Sequence, residues 1–133
     1  MAENPSNVHL SNSRVLGGLF ASPRMKEVFS DVAMVRSWID AEVALARSQS
    51  EVGVIPANAG DDIAAAADAA DFDLDAVGAE VMRTAHPLVP VIRVLSTLAG
   101  ASGAHVHLGA TTQDITDTGL VIQVRQAYGL IEE

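Results

Sequence analysis

The amino-acid sequence predicts an all-α protein, and three observations support this fold class. Apolar residues recur at spacings of three and four in several stretches, which is the period of an amphipathic helix. Aromatic residues make up only 4% of the chain, and no long run alternates apolar with polar residues as a half-buried strand would. The 133 residues have the length of one domain, and their 49% hydrophobic content is sufficient to bury a core.

The first part of the chain is predicted to be a flexible lead-in over residues 1–18, because it is rich in asparagine and serine and ends in the turn signal Gly17-Gly18. A short segment around Pro23 follows. The first long helix is expected to begin near Ser30 or Asp31 and to end at the G-V-I-P segment. Its apolar stripe consists of Val28, Val32, Val35, Ile39, Val43 and Ala46.

Three shorter helices are expected next, over residues 58–70, over residues 73–84 and from Pro87 to Gly100 or Gly103. The first of these is rich in alanine, which has a high helix propensity. Asp73 is a typical N-cap for the second. Pro87 suits the first turn of the third, where a missing N–H costs nothing, and His86 would then lie at the cap.

A fifth helix is predicted to begin near Thr112 and to continue to Glu133, because no stop signal follows. A chain that stops within a periodic helix is typical of a truncated protein. The apolar residues of this helix lie on one side: Leu120, Val121, Val124, Ala127, Tyr128 and Ile131.

Composition argues against several classes of partner. The net charge of −9 provides no basic face for a nucleic acid. The chain has no cysteine, which excludes disulfides and thiolate chemistry. No apolar run approaches the roughly 20 residues that a membrane span requires, and residues 1–13 lack the apolar core of a signal peptide. We therefore expect a soluble cytoplasmic protein with no nucleic-acid or membrane partner.

The most informative segment is the loop that precedes the fifth helix. His107 is expected to leave an extended segment, and Gly109 allows the backbone to turn. Thr111, Thr112 and Gln113 then place two hydroxyls and an amide beside the free N–H groups of a helix N-terminus, where an anion is favoured. A carboxylate is the natural ligand of such a loop.

Further segments accompany this loop in a characteristic order. They are S-P-R-M at 22–25, Phe29, Trp38, Glu42 with A-L-A, G-V-I-P at 53–56, H-P-L-V-P at 86–90 and V-H-L-G-A-T-T-Q-D-I-T-D-T at 106–118. Together they resemble the N-terminal part of the fumarase/aspartase superfamily, from about Leu19 to the end of the chain. Within it, the sequence is most similar to the bacterial 3-carboxy-cis,cis-muconate cycloisomerases and then to the adenylosuccinate lyases.

This resemblance implies a cofactor-independent lyase or cycloisomerase, acting on a small polycarboxylate in aromatic-acid breakdown through protocatechuate. Such an enzyme cleaves or forms a C–N or C–O bond β to a carboxylate, through a dianion that needs hydrogen-bond donors. His107 and His86 match family residues of the catalytic site that bind or orient the substrate. Thr111, Thr112 and Gln113 match those that bind its carboxylate. No metal is implied.

The resemblance also implies a domain organisation. Residues 19–111 correspond to the N-terminal helical domain, and residues 112–133 to the start of the first long helix of a central bundle. Family members are roughly three times as long as this chain, which corresponds to about three domains. Their serine base lies on a central-domain loop beyond residue 133, and their active sites combine several subunits of a homotetramer. We therefore expect the 133-residue chain alone to be inactive.

One departure from the pattern separates the two branches. Adenylosuccinate lyases have an Arg-Tyr pair that helps to bind the nucleotide phosphate, whereas this chain has Leu19 and Phe20 at those places. This difference favours the cycloisomerase branch. His86 matches the adenylosuccinate lyase branch, so that enzyme and other succinyl-type lyases remain alternatives.

Several residues also have simpler interpretations. The two histidines in H-V-H would face the same side of an extended segment, which is a spacing that metal ligands can have. No partner ligand supports a metal, however, and His105 is expected to be exposed. Asp114 is expected to cap the helix or to fix the loop, because its carboxylate would repel a substrate carboxylate. Trp38 and Glu42 are one helical turn apart and could suggest a pocket, but an aromatic residue on a packed helix is more often core, and both are left out of the site.

A non-enzymatic function remains open as well. The chain could be a small helical self-association or interaction module whose exposed apolar helix docks a partner.

Overall fold

The computed structural model describes residues 10–133 apart from the side chain of Asn12, and this range contains helices and no strand. The all-α prediction is confirmed. Residues 1–9 of the predicted lead-in lie outside the described residues, and the rest of it contributes two short 3-10 helices, Leu10–Asn12 and Gly17–Leu19. The α-helices are α1 (Pro23–Val28), α2 (Asp31–Glu51), α3 (Ala59–Ala69), α4 (Leu74–Thr84), α5 (Val89–Leu98) and α6 (Thr112–Glu132).

Serine caps explain where the first two helices begin. The Ser22 hydroxyl accepts a hydrogen bond from Met25 N at 3.2 Å, and Pro23 occupies the first turn of α1. The prediction for this stretch is only a short segment, although Ser-Pro is a helix-start signal. The Ser30 hydroxyl accepts from Ala33 N at 3.2 Å, which confirms the predicted start of α2.

The prediction for α5 was wrong at its start. Its first residue is Val89, its first turn contains Pro90, and His86 lies before the helix rather than at its cap. A helix beginning at Pro87 would place Pro90 at the fourth position, where an N–H makes the first intrahelical bond and a proline ring clashes with the preceding carbonyl. The chain avoids this conflict by starting the helix two residues later.

The segment that leads into His107 also differs from the prediction, because it is not extended. A 3-10 helix, Gly100–His105, follows α5, and the chain then turns. The 3-10 helix packs closely on α5: a Cβ atom at Gly103 would lie 2.0 Å from the carbonyl oxygen of Ser96. A glycine is therefore required at this contact.

Helix α2 forms the centre of the molecule and packs against α3 and α6. Gly119 of α6 lies on Trp38, and a Cβ atom at this glycine would be 2.6 Å from Trp38 Cδ1. The interpretation of Trp38 as core is confirmed, since it is only 7% exposed. The buried face of α6 consists of Ile115, Gly119, Gln123 and Ala127.

The apolar stripe predicted on α6 lies, apart from Ala127, on the opposite, exposed side of the helix. Leu120, Val121, Val124, Tyr128 and Ile131 are each more than half exposed. This face has no partner among residues 10–133. The packing of α6 on α2 places the first residues of α6 beside the turn that contains His107.

Candidate functional site

A buried carboxylate on α2 holds the imidazole of His107. The Oε1 atom of Glu42 lies 2.6 Å from Nδ1 of His107, and Glu42 is only 1% exposed. Burial raises the pKa of Glu42, and the hydrogen bond with His107 partly opposes this increase. When Glu42 is ionised, its carboxylate accepts a hydrogen bond from Nδ1–H of His107, so a neutral His107 has Nε2 as its hydrogen-bond acceptor.

A second side chain of α2 holds the same turn. Nε2 of Gln49 donates to the carbonyl oxygen of Leu108 at 2.7 Å, two helical turns after Glu42 and therefore on the same face of α2. His107 and Gly109 have left-handed backbone conformations, with φ of 62° and 74°. This conformation costs about 1–2 kcal/mol for a residue with a side chain, so the contacts from α2 offset strain at His107.

The other histidine meets the first residue of α6. Nε2 of His86 lies 3.2 Å from the hydroxyl of Thr112. The backbone N of His86 donates to the Thr84 hydroxyl at 3.3 Å, and Thr84 also donates to the carbonyl of Glu80 at 2.9 Å. The end of α4 thus fixes the position of His86, whose Nδ1 is buried without a partner among the described residues.

The two histidines and Thr112 line one open cavity of about 240 Å³. Three residues predicted from the sequence, His86, His107 and Thr112, lie in its wall together with Arg93. Its apolar wall consists of Leu88, Val89 and Ile92. The cavity surface is therefore mostly apolar, and the polar residues in its wall are His86, His107, Thr112 and Arg93, a combination that suits a small anion with a carbon skeleton.

The two other predicted residues, Thr111 and Gln113, do not line this cavity. Both are exposed at the start of α6, where the Gln113 amide donates to Asp117 at 3.0 Å. The Asp114 carboxylate accepts from Thr111 N at 2.9 Å, which confirms that Asp114 caps the helix. The roles of Thr111 and Gln113 in substrate binding stay predictions.

The metal-ligand interpretation of H-V-H depended on an extended segment that the structure does not contain. His105 ends the 3-10 helix and is half-buried rather than exposed. Between residues 10 and 133, no group of three or more histidines, aspartates and glutamates is arranged to hold a metal ion. No helix in that range is long and apolar enough to cross a membrane.

Three residues of the site were missed by sequence reasoning. Glu42 carried a signal, because it is a charged residue on the buried face of α2, in register with Trp38 and Ala46. Gln49 follows Glu42 by seven residues, which places it on the same face. Arg93 carried no signal, because its neighbour Glu80 lies on a different helix.

Comparison with known proteins shows where this arrangement belongs. A family model described as "Lyase" matches residues 19–133 of the chain. The chain belongs to this lyase family. The resemblance to the fumarase/aspartase superfamily is thereby confirmed, including its start near Leu19.

Two enzyme names recur among the curated relatives that the chain matches. The chain is 37% identical over 125 residues to 3-carboxy-cis,cis-muconate cycloisomerase of Pseudomonas putida, covering 90% of this chain and 29% of the relative. It is 34% identical over 123 residues to N-acetyl-S-(2-succino)cysteine lyase of Dickeya dadantii, covering 92% of this chain and 27% of the relative. The chain therefore spans less than a third of the length of these relatives.

Solved structures of the lyase family share the fold. The fumarate lyase from Mesorhizobium sp. BNC1 superposes with a TM-score of 0.81 at 38% identity, over 84% of this chain and 26% of that chain. The 3-carboxy-cis,cis-muconate lactonizing enzyme from Pseudomonas putida gives 0.82 at 35% identity, over 90% and 28%.

Proposed function

We propose that this chain is the N-terminal part of an enzyme that makes or breaks a bond β to a carboxylate, with 3-carboxy-cis,cis-muconate as the favoured substrate. The observation that carries the proposal is the cavity in which His86, His107, Thr112 and Arg93 surround space for a small anion. Relatives named for this cycloisomerisation support the choice of substrate.

The charge of the intermediate explains why this set of residues is suitable. In the ring-opening direction, a base removes a proton from the carbon next to a carboxylate, and the electron pair expels the β oxygen. The intermediate carries an additional negative charge on the carboxylate, which donors already in place stabilise. Thr112 lies in the first turn of the 21-residue helix α6, whose N-terminal end also favours negative charge.

Glu42 orients the imidazole of His107. His107 lines the cavity and Glu42 occupies its Nδ1, so Nε2 is the nitrogen that remains to bind the substrate or hold a proton. The base that removes the carbon-bound proton is proposed to come from outside these 133 residues. His86 and His107 therefore bind and orient the substrate, and other parts of the assembly complete the active site.

The proposal extends to assembly and metabolic context. The exposed apolar face of α6, which includes Leu120, Val124 and Tyr128, supports self-association, and a homotetramer is the expected form. Breakdown of aromatic acids through protocatechuate in the cytoplasm is the expected role. Leu19 and Phe20, which are 80% and 58% exposed, offer no charge to a nucleotide phosphate.

A second candidate is a lyase that acts on a succinyl thioether, and the relatives named for N-acetyl-S-(2-succino)cysteine favour it. The compounds in the two sets of names each carry three carboxylate groups. Both candidates therefore need a cavity that accepts a polycarboxylate, and they differ in whether oxygen or sulfur leaves.

An ultraviolet assay tests the proposal. The complete gene product is offered 3-carboxy-cis,cis-muconate, N-acetyl-S-(2-succino)cysteine and adenylosuccinate in parallel, with the 133-residue chain as a control. Turnover of the muconate alone is the expected result. Turnover of the thioether alone would establish the second candidate, whereas turnover of adenylosuccinate alone would show that the phosphate is bound elsewhere. Activity of the short chain would contradict the proposed location of the base.

A further inference from the structure

Arg93 lies on α5 between two clefts of the surface. On one side it lines the cavity that contains His86, His107 and Thr112. On the other side it lines a cleft that also contains Glu80 of α4. Its Nη1 donates to Oε1 of Glu80 at 2.8 Å, and this is the only hydrogen bond of the guanidinium within the described part of the chain. A guanidinium has five N–H donors, so most of them remain available to a ligand.

The carboxylate that holds Arg93 is shared with a second arginine. Arg83 donates to Glu80 through Nε at 2.9 Å and through Nη2 at 2.5 Å. Hydrogen bonds from Arg83 and then from Arg93 lower the pKa of Glu80 to about 2, so Glu80 is ionised at neutral pH. Glu80, Arg83 and Arg93 together carry one net positive charge, on a chain whose net charge is −9, and Asp71 and Asp73 line the cleft on the Glu80 side of Arg93.

Arg93 differs in charge from the other residues that line the cavity. Of the seven residues that line the cavity, Arg93 alone carries a fixed positive charge. The hydroxyl of Thr112 and the imidazole of His86 form a separate polar group, 3.2 Å apart, at the start of α6. Leu88, Val89 and Ile92 supply the apolar wall. An anion with carboxylates on both sides of a short carbon skeleton fits this distribution.

We propose that Arg93 binds a substrate carboxylate other than the one that meets Thr112 and His86, and that it sets a preference for tricarboxylates over dicarboxylates. Glu80 is a positioning residue, because it holds the guanidinium through one nitrogen and leaves the others for the ligand. The substrate class in this inference rests on the proposed function. The anion site itself rests on the geometry alone.

The test compares two arginines that share one partner. Arg93→Met and Arg83→Met each remove one positive charge next to Glu80, but only Arg93 lines the cavity. Binding of tricarballylate and of succinate to the complete gene product is measured by calorimetry. Arg93→Lys tests whether charge alone is sufficient, since lysine lacks the planar fork. Circular dichroism of each variant confirms the fold.

Wild-type protein is expected to bind tricarballylate more tightly than succinate. Arg93→Met is expected to weaken tricarballylate binding by about tenfold or more, the range for a lost charged hydrogen bond, and to change succinate binding much less. Arg83→Met is expected to change the affinity for either anion by less than about twofold, because an exposed charge outside the cavity contributes little to binding. Arg93→Lys is expected to recover part of the loss.

Three results would overturn the inference. The first is equal affinity of the wild type for tricarballylate and succinate, and the second is an equal loss of affinity for the two anions in Arg93→Met. The third is a loss of tricarballylate affinity in Arg83→Met as large as that in Arg93→Met. Failure of the proposed function is a separate outcome. It would appear as a wild-type protein that turns over none of the candidate substrates, and the tricarballylate measurement would still decide the role of Arg93.

Discussion

Oε1 of Glu42 lies 2.6 Å from Nδ1 of His107, across 65 residues of sequence. This contact joins the central helix of the core to the turn that precedes α6, so the packing of α2 determines where an imidazole of the site points. The second carboxylate oxygen of Glu42 is buried and has no partner within the described residues. Burying a carboxylate oxygen without a hydrogen-bond partner lowers the stability of the fold, and residues with this kind of stability cost are typical of functional sites.

Glu42→Gln tests the functional value of this pair. The amide oxygen can still accept from Nδ1 of His107, so the orientation is retained while the charge is lost. We expect kcat to fall by about tenfold, because a hydrogen bond to a charged group is stronger than one to a neutral group by roughly 1–1.5 kcal/mol, and KM to change less. The measurement is the pH profile of kcat and of kcat/KM for the complete gene product. An unchanged profile would assign Glu42 a purely structural role.

The raised pKa of Glu42 also predicts how stability depends on pH. Burial raises the pKa in the folded state, so folded protein binds more protons than unfolded protein from the ordinary glutamate value of about 4.3 up to the raised value. The contribution of Glu42 to stability is therefore present at low pH and is lost as pH rises through this window. Urea unfolding of wild type and Glu42→Gln at several pH values measures it. The variant is expected to gain stability relative to wild type as pH rises, and a constant difference would contradict this.

Gly119 is predicted to be essential for the contact between α6 and α2. Gly119→Ala places a Cβ atom 2.6 Å from Trp38 Cδ1, in a packed interface that must shift. We expect a loss of about 1–3 kcal/mol in the free energy of unfolding. Gly129→Ala is the matched control in the same helix, because nothing lies within 4 Å of its added Cβ. It is expected to stabilise the protein by about 0.5–1 kcal/mol, since alanine favours the helix. Equal effects of the two substitutions in thermal unfolding would be inconsistent with the packing described.

The turn around His107 is predicted to loosen when Gln49 is truncated. Gln49→Ala removes the donor to the Leu108 carbonyl, a hydrogen bond that contributes about 0.5–1.5 kcal/mol. Ser48→Ala, at an exposed position of the same helix, is the control. Hydrogen exchange at residues 106–110 is expected to become faster in Gln49→Ala only. Unchanged exchange would mean that Glu42 alone holds the turn.

Local signals in the sequence were sufficient for much of the fold. Helix α2 begins at the predicted place and Asp73 caps α4 as predicted, because capping depends on residues three positions apart. The start of α5 was missed because two prolines compete for one helix start, and the outcome depends on which of them would break an intrahelical bond. The left-handed φ of His107 was missed because it depends on contacts from α2.

The candidate site also contains residues that could be predicted from the sequence and residues that could not. The resemblance to a family predicted His86, His107 and Thr112 as site residues, and the structure brings these three to one cavity, whereas the predicted Thr111 and Gln113 lie outside it. Glu42 and Arg93 depend on partners that are distant in sequence, His107 and Glu80, and no spacing rule connects such pairs. A charged residue in register with core positions, as Glu42 is, is the feature that sequence reasoning can use in other chains.

The central claim is that the cavity at the start of α6 binds a substrate carboxylate, and Thr112 tests it most directly. The decisive measurement is kcat/KM for 3-carboxy-cis,cis-muconate with Thr112→Val and with Thr118→Val in the complete gene product. Thr118 is an exposed residue of the same helix that donates to the Asp114 carbonyl at 2.6 Å. Thr112→Val is expected to lose about 1–3 kcal/mol of binding, roughly a factor of 5–150 in kcat/KM, with the fold retained. Thr118→Val is expected to stay within about twofold of wild type, as an exposed substitution distant from the cavity should. Wild-type kinetics in Thr112→Val would contradict the assignment of this cavity as the carboxylate site.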